Sequence, residues 1–95
     1  MYLGMDSEVK FDSSTTQEDF ETTLNNHSNP DEVLSIFINE CMLTDLKCLS
    51  RFRNLKILNL ECNEIIDLAA LGDLVNLEEL YLSNNKILDV GPLAT

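Results

Sequence analysis

The chain has 95 residues and a formal charge of −11, which leaves room for one small folded unit or a slice of a repeat array, but not for two independent cores. Of its 17 Asp and Glu residues, nine fall in residues 1–40 against Lys10 alone. So acidic a chain repels phosphate backbones and anionic lipid, which excludes nucleic acid and membrane surfaces as expected partners.

No stretch approaches the roughly 20 apolar residues of a membrane helix. The segment Met1 to Lys10 lacks the basic-then-apolar order of a secretory signal. The three cysteines, Cys41, Cys48 and Cys62, form no CxxC pair and no metal-ligand spacing, so reduced thiols in the cytoplasm are expected, with nuclear, ciliary or centrosomal sites as variants. Asn26-His27-Ser28 spells a glycosylation acceptor, which without export never meets its enzyme.

Residues 1–31 are rich in Ser, Thr, Asn and acids, a composition too polar to bury a core of its own. They are expected as an acidic tail or as a partly helical N-terminal cap. Thr15-x-x-Glu18 has the pattern of a capping box, and Phe20 and Leu24 follow at the four-residue spacing of one helix face. Ser13, Ser14, Thr15 and Thr16 ahead of Glu18 and Asp19 fit either an acid-directed kinase or a solvated tail. At Asn29-Pro30-Asp31-Glu32 a helix-start signal meets the β-branched run Val33 to Ile38, and the register that this run shares with residues 54–95 favours a strand.

From residue 32 the chain repeats. Asn54-Leu55-Lys56-Ile57-Leu58-Asn59-Leu60 and its continuation to Leu68 align without gaps on Asn76 to Val90 at an offset of 22. A step back by the same interval finds Val33, Ile36, Ile38, Cys41, Leu43, Asp45, Leu46 and Leu49. Three copies result, 32–53, 54–75 and 76–95. In each, alternating apolar residues (Ile36/Ile38, Leu58/Leu60, Leu80/Leu82) mark a strand with one wet side, and stacked copies form a parallel sheet. Cys41, Asn63 and Asn85 then occupy a column able to turn inward and bond neighbouring backbone. Asp45, Asp67 and Asp89 fall at the N-cap of a short helical return. One carboxylate per copy, outside any Asp/Asn/Gly-rich loop, is too few for calcium, and neither metal nor cofactor is expected.

The wording L-x-x-L-x-L-x-x-N/C-x-I/L-x-D-L/V-x-x-L over residues 32–95 resembles the leucine-rich repeat. Its length and closing D-L-x-x-L resemble the short, 22-residue subfamily typified by a regulatory subunit of protein phosphatase 1, with relatives among ciliary dynein light chains and centrosomal proteins. The resemblance implies an α/β repeat solenoid, an asparagine ladder in which Cys41 is the end-repeat substitute, and a concave strand face on which another protein docks. Those relatives carry more repeats and a C-terminal cap, whereas this chain stops at Ala94-Thr95. The expectation is therefore a piece of a longer scaffold, or an open end that self-associates.

The outward strand positions are the candidate binding residues: Phe37, Ile57, Asn59, Glu61, Glu79, Tyr81 and Ser83. Outward Phe37 and Tyr81 are the residue types that anchor interfaces, and Ile57 faces water with no core duty. Glu61 and Glu79 suit a partner presenting Lys or Arg. No histidine or nucleophile accompanies these carboxylates, so an interaction module is expected rather than an enzyme; regulation of a phosphatase is the alternative that the resemblance raises.

Overall fold

The structure is a computed structural model that describes residues 7–88. The expected third aspartate, Asp89, its return segment Val90-Gly91-Pro92-Leu93 and the terminal Ala94-Thr95 lie outside the described residues. The chain forms an α/β repeat solenoid. Four strands among the described residues, β1 (Glu8–Phe11), β2 (Ser35–Ile38), β3 (Ile57–Asn59) and β4 (Glu79–Tyr81), lie side by side in sequence order and all run parallel. The register steps by 22 residues from Ser35 to Ile57 to Glu79, the period of the sequence.

The inward residues of every strand are apolar. Val9, Ile36, Ile38, Leu58 and Leu60 are fully buried and join Leu43, Leu49, Phe52, Leu55, Ile65 and Leu71 in one core. Burial of each such side chain contributes roughly 1.5–3 kcal/mol.

Two or three residues past the ends of β2, β3 and β4 stands a residue of positive φ, Glu40 (59°), Cys62 (61°) and Asn84 (61°) respectively. A left-handed residue costs roughly 1–2 kcal/mol outside glycine, and here it turns the chain so that Cys41, Asn63 and Asn85 point inward. The Asn63 amide then serves five groups. Its Oδ1 accepts from Cys41 N and Leu43 N, both at 3.1 Å, while Nδ2 donates to Ile38 O (2.9 Å), Leu60 O (2.8 Å) and Glu61 O (3.2 Å). Asn85 repeats the arrangement one turn on, accepting from Ile65 N at 3.1 Å and donating to Leu60 O at 2.9 Å. Cys41 takes the same place one turn earlier, its Sγ 3.2 Å from both Asp12 O and Asn39 O.

The returns are 3-10 helices, Lys47–Arg51 and Ala69–Asp73. The aspartates, expected as the N-caps, stand one residue before the observed cap positions. Asp45 Oδ1 accepts from Lys47 N and Asp67 Oδ1 from Ala69 N, each at 2.8 Å, as a two-residue Asx turn. The cap positions fall instead to Leu46 and Leu68, which are drawn into the core.

Upstream, β1 pairs with β2 so that Glu8 lies beside Ser35 and Lys10 beside Phe37, a step of 27 residues. Helix α1 (Gln17–Asn25) fills the interval, with Phe20 and Leu24 fully buried. Its capping box is shifted one residue from the expected Thr15/Glu18: Thr16 Oγ1 accepts from Asp19 N at 3.0 Å, and Asp19 Oδ2 from Thr16 N at 3.4 Å. Thr15 is occupied by the preceding turn, its N–H donating to Asp12 O and its side chain buried. At Asn29 to Ile38 both competing signals are used in turn, a 3-10 turn over Pro30–Glu32 followed by β2.

Two side chains fasten α1 to the first return. Gln17 Oε1 accepts from Thr44 N (2.9 Å) and Asp45 N (3.2 Å), and its Nε2 donates to Asp45 O (2.9 Å). At the other end the Arg51 guanidinium donates to Leu24 O (3.0 Å), Asn25 O (2.8 Å) and His27 O (3.3 Å), where a cation also complements the helix dipole. Arg51→Ala should lower stability by about 1–3 kcal/mol, measured by urea unfolding, with amide exchange accelerated first in residues 17–25.

Candidate functional site

The strand alternation that sends Val9, Ile36 and Leu58 inward sends their neighbours to the opposite side of the sheet. Two registered rows cross it. Glu8, Ser35, Ile57 and Glu79 form one; Lys10, Phe37, Asn59 and Tyr81 form the next. The structure therefore brings Ile57 alongside Glu79, and Phe37, Asn59 and Tyr81 into a single line. Glu61 and Ser83 continue the wall past the strand ends, tied by Cys62 N donating to Ser83 O at 2.9 Å.

Glu8 and Lys10 are wall residues that the repeat period does not point to. Their signal in the sequence is the short alternation Glu8-Val9-Lys10-Phe11, out of step with the 22-residue interval. Lys10 changes the chemistry of this half of the wall. Its Nζ lies 5.4 Å from the Phe37 ring centroid and 3.8 Å from Glu8 Oε2, so that ring already holds a cation. Phe37 and Ile57 are half-buried, and Ser35 is buried. Asn59 spends its Oδ1 on the Glu61 amide, 3.1 Å away, and so stiffens the end of β3.

The β4 end is open. Tyr81 is 42% exposed, and its hydroxyl donates to the Glu79 carboxylate at 2.6 Å. That hydrogen bond, with the negative charge of Glu79 and then of Glu61, raises the phenol above its ordinary ionisation range. Among the described residues the ion pairs are Lys10–Glu8 and Lys86–Glu64, which leaves Glu61 and Glu79 without a cation.

A groove of about 460 Å³ lies among the returns and not on the strands, lined by Thr44, Asp45, Leu46, Lys47, Asp67, Ala69 and Ala70. Asp45 and Asp67 are engaged there in their Asx turns. Among the described residues no three His, Cys, Asp or Glu side chains gather as a metal cluster. The three cysteines are free. Burial, reinforced by Glu21, pushes the Cys48 thiol up to about 12, and burial raises Cys41 too, so both remain protonated near neutral pH. No helix among the described residues is long and apolar enough to cross a membrane.

Residues 53–95 match the family described as leucine-rich repeats in two copies. Two solved structures from Listeria monocytogenes are similar to the chain. Internalin C2 is 31% identical over 67% of the chain, with a TM-score of 0.65, and the internalin inlF is 26% identical over 81%, with a TM-score of 0.69. The chain spans 28% and 25% of the lengths of those two proteins. Comparison with curated protein sequences finds no match.

The raised phenol gives a direct check on the geometry of the open end. Glu79→Gln removes the charged acceptor, so the Tyr81 ionisation should move down toward the ordinary tyrosine value. Tyrosinate absorbance during an alkaline titration, taken as the difference from Tyr81→Phe, reads that shift; an unchanged midpoint would contradict the contact.

Proposed function

We propose that this leucine-rich-repeat chain is an interaction module that binds another protein across the wall of outward strand residues, with Phe37, Ile57, Asn59, Glu61, Glu79, Tyr81 and Ser83 as the contact set. Leucine-rich-repeat domains generally mediate protein–protein interaction. The observation that carries the reading is the continuity of the two registered rows across four strands, ending in an exposed aromatic ring beside two carboxylates without cations. Large aromatics on a rigid face supply contact area at little entropic cost. Unpaired carboxylates steer a basic partner and fix its orientation.

Binding rather than catalysis follows from the chemistry of the wall. Among the described residues no histidine stands beside its carboxylates, and burial keeps the Cys41 and Cys48 thiols protonated near neutral pH. Free cysteines, one of them the exposed Cys62, suit a reducing compartment and support the reading of a cytoplasmic protein. The 22-residue register supports the short-repeat subfamily.

The test is capture of partners from cell extract by the immobilised chain and by folded wall variants. Tyr81→Ala and Glu79→Lys should each weaken the captured partner at least about tenfold, in the range of interface anchors. Substitutions in the return groove, such as Lys47→Ala, should leave it bound; loss at Lys47 with Tyr81 and Glu79 indifferent would move the site to the other side of the solenoid. A phosphatase catalytic subunit among the captured proteins would assign the regulatory role. A sedimentation coefficient rising with concentration would add self-association.

A further inference from the structure

The two aromatic rings of the wall occupy the same row but differ in what covers them. Phe37 lies under the chain's own Lys10, whose ammonium is shared with the Glu8 carboxylate. Tyr81, two strands further along that row, lies beside carboxylates without a cation: Glu79 is held against its hydroxyl, and Glu61 follows just past the end of β3, next to Leu60, whose N–H donates to Tyr81 O at 2.9 Å. Neighbouring strands stand about 4.8 Å apart, so Lys10 is roughly 14 Å from Tyr81 and cannot serve both rings.

We infer that the Tyr81 ring, framed by Glu61 and Glu79, is a subsite for one cationic side chain of the partner, an arginine or lysine of an extended basic segment. The Lys10–Phe37–Glu8 contact is the chain's internal version of it. The subsite rests on the proposed binding wall and narrows it to one position and one kind of side chain. A guanidinium stacks on the exposed ring while its edge meets a carboxylate, a combination of cation–π attraction and charge-assisted hydrogen bonding that a neutral side chain cannot make. The field of both carboxylates at this spot agrees with the raised Tyr81 phenol, for which Glu79 is the first cause and Glu61 a further one. The Tyr81–Glu79 hydrogen bond holds ring and acceptor in place before the partner arrives, which lowers the ordering cost of binding.

The experiment is a titration of the full, nitrogen-15-labelled chain with N-acetyl-arginine methylamide, and separately with its uncharged isostere N-acetyl-citrulline methylamide. The arginine probe should give saturable shifts centred on Glu61, Glu79 and Tyr81, weakened by added salt, while the citrulline probe gives none there. Glu79→Gln and Tyr81→Leu should each weaken the arginine response about threefold. In Lys10→Met, the Phe37 region should begin to respond to the same probe. Equal response to the two probes, or shifts no larger at Tyr81 than at Phe37 in the unaltered chain, overturns the subsite. If the subsite fails while Tyr81→Ala still abolishes partner capture, the wall binds through its apolar surface alone; if the probe binds and capture ignores the wall, the functional reading is the one that fails.

Discussion

Everything in this fold hangs on the inward amide of Asn63 and its copy at Asn85. A chain that leaves a parallel strand and doubles back exposes N–H and C=O groups at every bend, and in a solenoid those bends are buried between neighbours. An unpaired buried group costs roughly 1–3 kcal/mol. Asn63 bonds five such backbone groups, drawn from two successive turns, and Asn85 bonds Ile65 N, Leu60 O, Leu82 O and Ser83 O in the next pair. Asparagine alone has two donors and a two-lone-pair acceptor on so short a stem. The left-handed backbone of Glu40, Cys62 and Asn84 is the strain accepted to aim that side chain inward.

The wall is a consequence of the same bonds. Because each turn is locked to the next at a 22-residue register, outward residues of separate strands fall into straight rows, and Phe37, Asn59 and Tyr81 form one surface. Upstream, Gln17 and Arg51 do for α1 what the asparagines do between turns, satisfying the loose backbone of Thr44, Asp45, Leu24 and Asn25. They bring β1 alongside β2 and with it Lys10, whose charge divides the wall into a half supplied with its own cation and a half without one.

The period was legible because packing imposes it: the residues that must be buried in each turn, and the amide that must bond each bend, recur at one interval. Leu58, Leu60, Asn63 and the outward Ile57 and Tyr81 can all be read that way. What could not be read lies where the interval breaks. β1 stands 27 residues ahead of β2 because α1 is inserted between them, so its four residues look like part of a polar segment. The capping threonine is set by the preceding turn, which engages the Thr15 N–H and buries its side chain, a tertiary matter that Thr15 and Thr16 do not reveal in sequence. The one-residue displacement of Asp45 and Asp67 has the same origin, since burial of Leu46 and Leu68 decides where each 3-10 turn begins. The role of Lys10 is the clearest case: its distance from Phe37 in the chain hides a contact that only the sheet creates.

The measurement that bears most directly on this account is native-state amide hydrogen exchange at Cys41, Leu43 and Ile65, whose N–H groups donate to asparagine side chains rather than to backbone. If the ladder holds the solenoid together, these three amides open only with the whole domain, and their exchange free energies equal that of global unfolding. Exchange at the rate of a fraying loop, while the strand amides stay protected, would mean that the bends are held by something other than Asn63 and Asn85.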